Sequence, residues 1–131
     1  MRNRFLADTP ALLAFLTDPG ALGGRAADVF ERAQKGELSV IVPAMVVAEL
    51  IPLVEERKGS AGIIEIARRI ARGGGFTAVG FDGDTLERIG ALPRTLGLHD
   101  RAVAATALIF GAAVLTDDTR YRDIGLETVW D

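Results

Sequence analysis

Cysteine is absent from the chain and histidine occurs once, as His99. Without cysteine there is no disulfide framework. With one histidine, a histidine-rich zinc site is excluded, and any Ser-His-Asp relay would rest on that single side chain. Oxygen ligands are therefore almost all the chain can offer a metal, which selects hard cations, Mg²⁺ or Mn²⁺. Long apolar runs are missing too. The longest, Val40 to Val54, is interrupted by Pro43, Glu49 and Pro52 and falls short of the roughly 20 residues a membrane-spanning helix requires. The opening MRNRFLADTP lacks the apolar stretch of a secretory signal. A soluble, cytoplasmic protein is expected.

What is present reads as one domain spanning residues 1–131. At 49% hydrophobic and 25% charged, a chain of this length buries about 68% of its unfolded surface around one core. Arg4 to Ala7 reads as a short strand. Asp8, Thr9 and Pro10 then supply a cap followed by proline, the signature of a helix start, and ALLAFL continues the helix. Arg25 to Lys35 carries Ala26, Val29, Phe30 and Ala33 at helical spacing and stops at Gly36. Leu38 to Val42 reads as a second strand, and Ala44 to about Lys58 and Ile63 to Arg72 as helices. Gly73, Gly74 and Gly75 lack the Gly-Lys-Ser/Thr that completes a phosphate loop and are read as a helix stop. A strand at Thr77 to Val79, helices over Asp84 to Leu96 and His99 to Phe110, a strand at Ala113 to Leu115 and a last one at Glu127 to Trp130 complete the chain. Strands separated by helices predict an α/β fold, a three-layer α/β/α domain with a mainly parallel sheet of four to five strands.

Ligands of such a sheet bind beyond the carboxyl ends of the strands. Asp8 directly follows the first strand and Asp118 lies just beyond Leu115, so the two are neighbours if their strands are. Glu49 lies about 7.5 Å along a helix that begins near Ala44, and Asp100 opens its own helix. Given that strand order, all four carboxylates fall within side-chain reach of one point. Asp8, Asp100 and Asp118 are each also good helix or turn caps, a role worth about 1 kcal/mol, and a single such aspartate is more often a cap than a ligand. Glu49 differs. It is the only charge between Val40 and Val54, and no basic residue is close to it in sequence. A buried lone carboxylate costs several kcal/mol, so a metal or a solvent-filled acidic pocket is the simpler expectation. Pro52 removes the helical bond to the carbonyl of Ala48 and predicts a kink beside Glu49. His99 is expected as a turn residue ahead of its helix.

The net charge of −3 argues against a nonspecific nucleic-acid coat. Committing the four carboxylates to a cation leaves +1 on the rest, a balance less hostile to a phosphate substrate. Arg57, Lys58, Arg68, Arg69 and Arg72 form the densest basic neighbourhood and offer contacts to a nucleic-acid backbone. A solvated helix face, with Glu65 supporting Arg68 and Arg69, accounts for them more simply.

The ordered set LADTPALLAFL, PAMVVAELI, HDRAVAATALIFGAAVLTDDTRY and LETVW resembles the PIN-domain proteins, in particular the VapC-type toxins of bacterial and archaeal toxin–antitoxin pairs. The resemblance runs from the first strand to Trp130. It implies that Asp8, Glu49, Asp100 and Asp118 are the catalytic, metal-binding acids, and that Thr9 and Thr116 hold carboxylates in place. Asp117 departs from the usual basic or neutral residue and competes with Asp118 for the role; Pro10 and Pro43 stand where small or hydroxyl residues are commoner. The implied activity is Mg²⁺-dependent cleavage of RNA, with Mn²⁺ as a substitute, by one or two ions. The implied partners are a cognate antitoxin protein laid across the acidic pocket and a second copy of the chain in a homodimer. The alternative is a noncatalytic PIN-like module that binds RNA or protein, against which the intact acidic set speaks. A receiver-like phosphoacceptor is a third class, but the chain has neither an Asp-Asp pair near residue 8 nor a lysine after Lys58.

Overall fold

The computed structural model describes residues 4–58, 60–72 and 74–131. Five strands form one sheet: β1 (Arg4–Ala7), β2 (Ser39–Pro43), β3 (Phe76–Val79), β4 (Ala113–Leu115) and β5 (Thr128–Val129). Their order is β3-β2-β1-β4-β5, and every pairing is parallel. Six helices connect them: α1 (Thr9–Thr17), α2 (Gly24–Gln34), α3 (Ala44–Lys58), α4 (Ser60–Arg72), α5 (Gly83–Ala91) and α6 (Leu98–Phe110). Short 3-10 turns at Pro19–Ala21 and Thr119–Ile124 complete the path. The expected α/β architecture is the one observed, with all five strands present. None of the described helices is long and apolar enough to cross a membrane.

The central strands are apolar on both faces because both faces are covered. Phe5, Leu6 and Ala7 of β1, Val40, Ile41 and Val42 of β2, and all of β4 are buried, the continuous run expected of a parallel sheet between helical layers. Helix α6 packs on β1, α2 on β2 and α4 on β3. On α3, Val46, Leu50 and Val54 recur every fourth residue and are buried, so one stripe of that helix faces the core. Pro52 lies on its exposed side and the helix runs through it. The carbonyl of Ala48, deprived of its helical donor, belongs to an exposed residue that water can reach. At the other end of the sheet Phe15, Phe30 and Phe76 stack, the first two with ring centroids 4.5 Å apart.

The glycine run after α4 does more than stop a helix. Gly73 lies outside the described residues, but Gly74 takes a positive φ of 50°. A side chain on Gly75 would collide with the backbone of Leu38 and Ala33, and the Gly75 carbonyl accepts from the amide of Val40 at 2.8 Å. Absence of Cβ is what lets the chain enter β3 against β2. The strand begins at Phe76, one residue earlier than the sequence predicts, and α5 ends at Ala91 rather than Leu96. Pro93 explains the latter, since it biases Leu92 out of the helical region, and Leu92 has ψ 156°.

Candidate active site

The chain leaves β1 for β2 and β3 on one side and returns to β4 and β5 on the other, so the order of strands reverses between β1 and β4. Crevices at such switch points, at the carboxyl ends of strands, are where α/β sheets bind ligands. Ala7 pairs with Leu115 across this junction. Asp8 therefore stands beside Thr116, which is the neighbourhood predicted for Asp8 and Asp118.

Asp8 is buried and each of its oxygens accepts a hydrogen bond. Its Oδ1 accepts from the amide of Thr9 at 2.8 Å, so it caps α1, and its Oδ2 accepts from the hydroxyl of Thr116 at 3.2 Å. The same Thr116 oxygen accepts from the amide of Asp118 at 3.1 Å. One hydroxyl thus orients two acids. Asp118 caps the 3-10 turn through the amide of Arg120 at 3.0 Å, so cap and candidate ligand are the same residue here. Asp117 is exposed, and the contacts of the site run through Asp118.

The side chain of Arg120 closes on Asp118 through Nε, 3.0 Å from each carboxylate oxygen, and through Nη2, 2.6 Å from Oδ2. Nη2 also reaches Oδ2 of Asp100 at 3.0 Å. The other oxygen of Asp100 accepts from the hydroxyl of Tyr121 at 3.2 Å, and Tyr121 is buried. These contacts tie the first turn of α6 to the turn after β4. The Arg120 hydrogen bonds hold the Asp118 carboxyl below its usual range. Burial, with Asp8 and Asp100 beside it, pushes the Tyr121 phenol well up, so it stays a donor.

Two expectations are corrected. His99 is not a turn residue ahead of a helix; it lies in the first turn of α6 and faces the site. Its Nε2 is 3.4 Å from both Oδ1 of Asp8 and Oγ1 of Thr9. Its Nδ1 is 2.6 Å from Oε2 of Glu49, close enough for an ion pair but too poorly aligned for a hydrogen bond. Hydrogen bonding to Asp8, then the charges of Glu49, Asp8 and Asp100, raise its pKa against the opposing effect of burial. Glu49 is neither buried nor alone: its side chain is 48% exposed and His99 is its partner. It lies on the flank of the Val46–Leu50–Val54 stripe, where its apolar sequence neighbours do not bury it.

The four predicted acids are thus brought to one edge, linked through His99, Thr116 and Arg120. Among the described residues, however, no three carboxylate or imidazole groups are arranged to hold a metal ion as they stand. His99 stands between Asp8 and Glu49, and Arg120 between Asp100 and Asp118. Nothing in the sequence pattern gives Arg120 or Tyr121 a role at the site. The only available signal was their place directly after the Asp118 turn. The basic neighbourhood lies elsewhere. Arg68, Arg69 and Arg72 line a groove of about 700 Å³ with Ile64 and Phe76, toward the amino end of β3. Arg69 pairs with Glu65 at 3.7 Å and covers the Phe15 ring, while Arg57 donates to the carbonyl of Leu53. The Lys58 side chain lies outside the described residues.

No curated protein sequence matches the chain. Among solved structures its fold is similar to that of VapBC2 from Rickettsia felis bound to a DNA fragment from its promoter, at 17% identity and TM-score 0.75 over 98% of this chain and 99% of that one. It is similar to VapC20 from Mycobacterium tuberculosis, described as a sarcin-ricin loop cleaving toxin, at 16% identity and TM-score 0.74 over 97% and 99%. FitAcB from Neisseria gonorrhoeae is matched at 20% identity and TM-score 0.67 over 95% of both chains. A family model of the PIN domain matches residues 5–126, from β1 to the turn before β5, and the chain belongs to the PIN-domain family.

Proposed function

We propose that the chain is a metal-dependent endoribonuclease, hydrolysing phosphodiester bonds of RNA with Mg²⁺ or Mn²⁺, and that it is the toxin of a toxin–antitoxin pair. The observation that carries this reading is the gathering of Asp8, Glu49, Asp100 and Asp118, from four separate segments, at the switch point of the sheet. The donor set fits a hard cation, because every candidate ligand is a carboxylate oxygen, and two of the acids already hold the cationic Arg120. Asp8, Asp100 and Asp118 would hold the ion, with Glu49 as a further ligand or as acceptor for the proton of the attacking water. A divalent cation, when bound, polarises the phosphodiester and lowers the pKa of that water.

The chain supplies the rest. Thr116 fixes Asp8 and the turn carrying Asp118, and Tyr121 holds one oxygen of Asp100 so that the other faces the centre. Glu49, the most exposed of the four acids, is the one that incoming solvent meets. Carboxylates gathered at one edge repel one another, which favours a cation among them. A similar fold described as a toxin–antitoxin complex, and another described as a sarcin-ricin loop cleaving toxin, support the assignment of an antitoxin partner and an RNA substrate. A homodimer is proposed on family grounds.

The test is cleavage of a panel of structured RNAs by wild type, Glu49→Gln and Asp100→Asn, each with Mg²⁺ and with chelator. Cutting that needs Mg²⁺ and is lost in both variants is expected. Equal cutting by all three proteins would overturn the assignment of these acids. The noncatalytic reading would gain if wild type neither cut nor bound metal.

A further inference from the structure

We propose that Arg120 is a built-in counter-ion of the acidic centre, which a divalent cation must displace before it can bind; this rests on the reading of Asp100 and Asp118 as metal ligands. The guanidinium takes both oxygens of Asp118 and one of Asp100, while Tyr121 takes the second oxygen of Asp100. A guanidinium fork meets a carboxylate through the same in-plane lone pairs that a metal ion requires. Arginine and metal are therefore competitors for one pair of acids.

The exchange needs no rearrangement of the backbone. Arg120 sits two residues after Asp118 in the turn that Asp118 caps. Its own amide donates to Asp118 Oδ1 independently of the guanidinium. The side chain is 59% exposed, so it can swing into water. Exposed ion pairs are weak, so a dication can win, yet the competition lowers the apparent affinity by the fraction of molecules in which Arg120 occupies the site. His99 leaves Asp118 and Asp100 to Arg120, since its contacts are with Asp8, Thr9 and Glu49.

The experiment is a Mn²⁺ titration without RNA, by calorimetry and by thermal melting, on wild type, Arg120→Gln, Arg120→Lys and Asp118→Asn. Arg120→Gln is expected to bind Mn²⁺ roughly three- to tenfold more tightly than wild type, to melt lower in chelator, and to gain more from metal. Arg120→Lys, whose single ammonium cannot span both acids, falls between, and Asp118→Asn binds weakly. If Asp118→Asn weakens binding while Arg120→Gln binds no better than wild type, the competition is overturned and the metal reading stands. If wild type and Arg120→Gln both fail to bind Mn²⁺, the metal reading falls and the proposal falls with it.

Discussion

A single hydroxyl carries much of the order in the acidic centre. Thr116 uses its proton on Asp8 and its lone pair on the amide of Asp118, so removing it leaves a buried acceptor and a donor unmet. Thr116→Val, nearly the same shape, is expected to lose about 1–3 kcal/mol in urea unfolding, and Thr116→Ser to keep most of it; equal losses would show that the methyl, not the hydroxyl, matters. At this scale the sequence disclosed the acids and, among their long-range partners, only Thr116. Asp8 and Asp118 were legible because each follows a strand, and Thr116 because the family motif holds it. His99, Arg120 and Tyr121 act on residues 91, 20 and 21 positions away, distances at which periodicity says nothing. Glu49 misled for a related reason: a helix that buries only one stripe of its apolar residues can expose a charge beside that stripe.

The elements were easier to read than the residues between them. Strands β1, β2 and β4 announced themselves as apolar runs between breakers, and α2 and α6 as amphipathic or apolar periods with a glycine after them, Gly111 closing α6 at φ 61°. The turn at Thr119–Ile124 was not foreseen, since its stability comes from the Asp118 cap and from burial of Tyr121 rather than from any repeat. Helix α5 offers a test of capping by charge, away from the acidic centre. Asp82 accepts from the amide and the hydroxyl of Thr85, both at 3.0 Å, and these bonds lower its pKa below 3.8. A lowered folded-state value means that the carboxylate stabilises the fold above pH 3.8 and that this contribution disappears as the pH falls through the folded value. Wild type should therefore exceed Asp82→Asn in melting temperature at neutral pH, and the gap should close in acid. A gap unchanged by pH would assign the difference to shape instead of charge.

Over the whole molecule, the parallel order places the acids at one edge and the arginine groove toward the other. A ligand that bridges only the acids should stabilise the fold as a unit, because it ties β1, α3, α6 and the turn after β4 together. Mg²⁺ at a hundredfold excess over its dissociation constant is expected to add about 2.7 kcal/mol to wild type. Asp8→Asn should forfeit that gain, whereas the loss of a mere cap would lower stability equally with and without metal. The Thr116–Asp8 bond joins residues 108 positions apart, and this has a meaning for the chain as it is made. Synthesis delivers Asp8 first, Glu49 and Asp100 in passing, and the hydroxyl that orients Asp8 only after more than a hundred further residues. Until β4 slides in beside β1, the nascent polypeptide has a carboxylate but no centre. The cluster of acids is thus assembled only after Thr116 has been made, 108 residues behind Asp8.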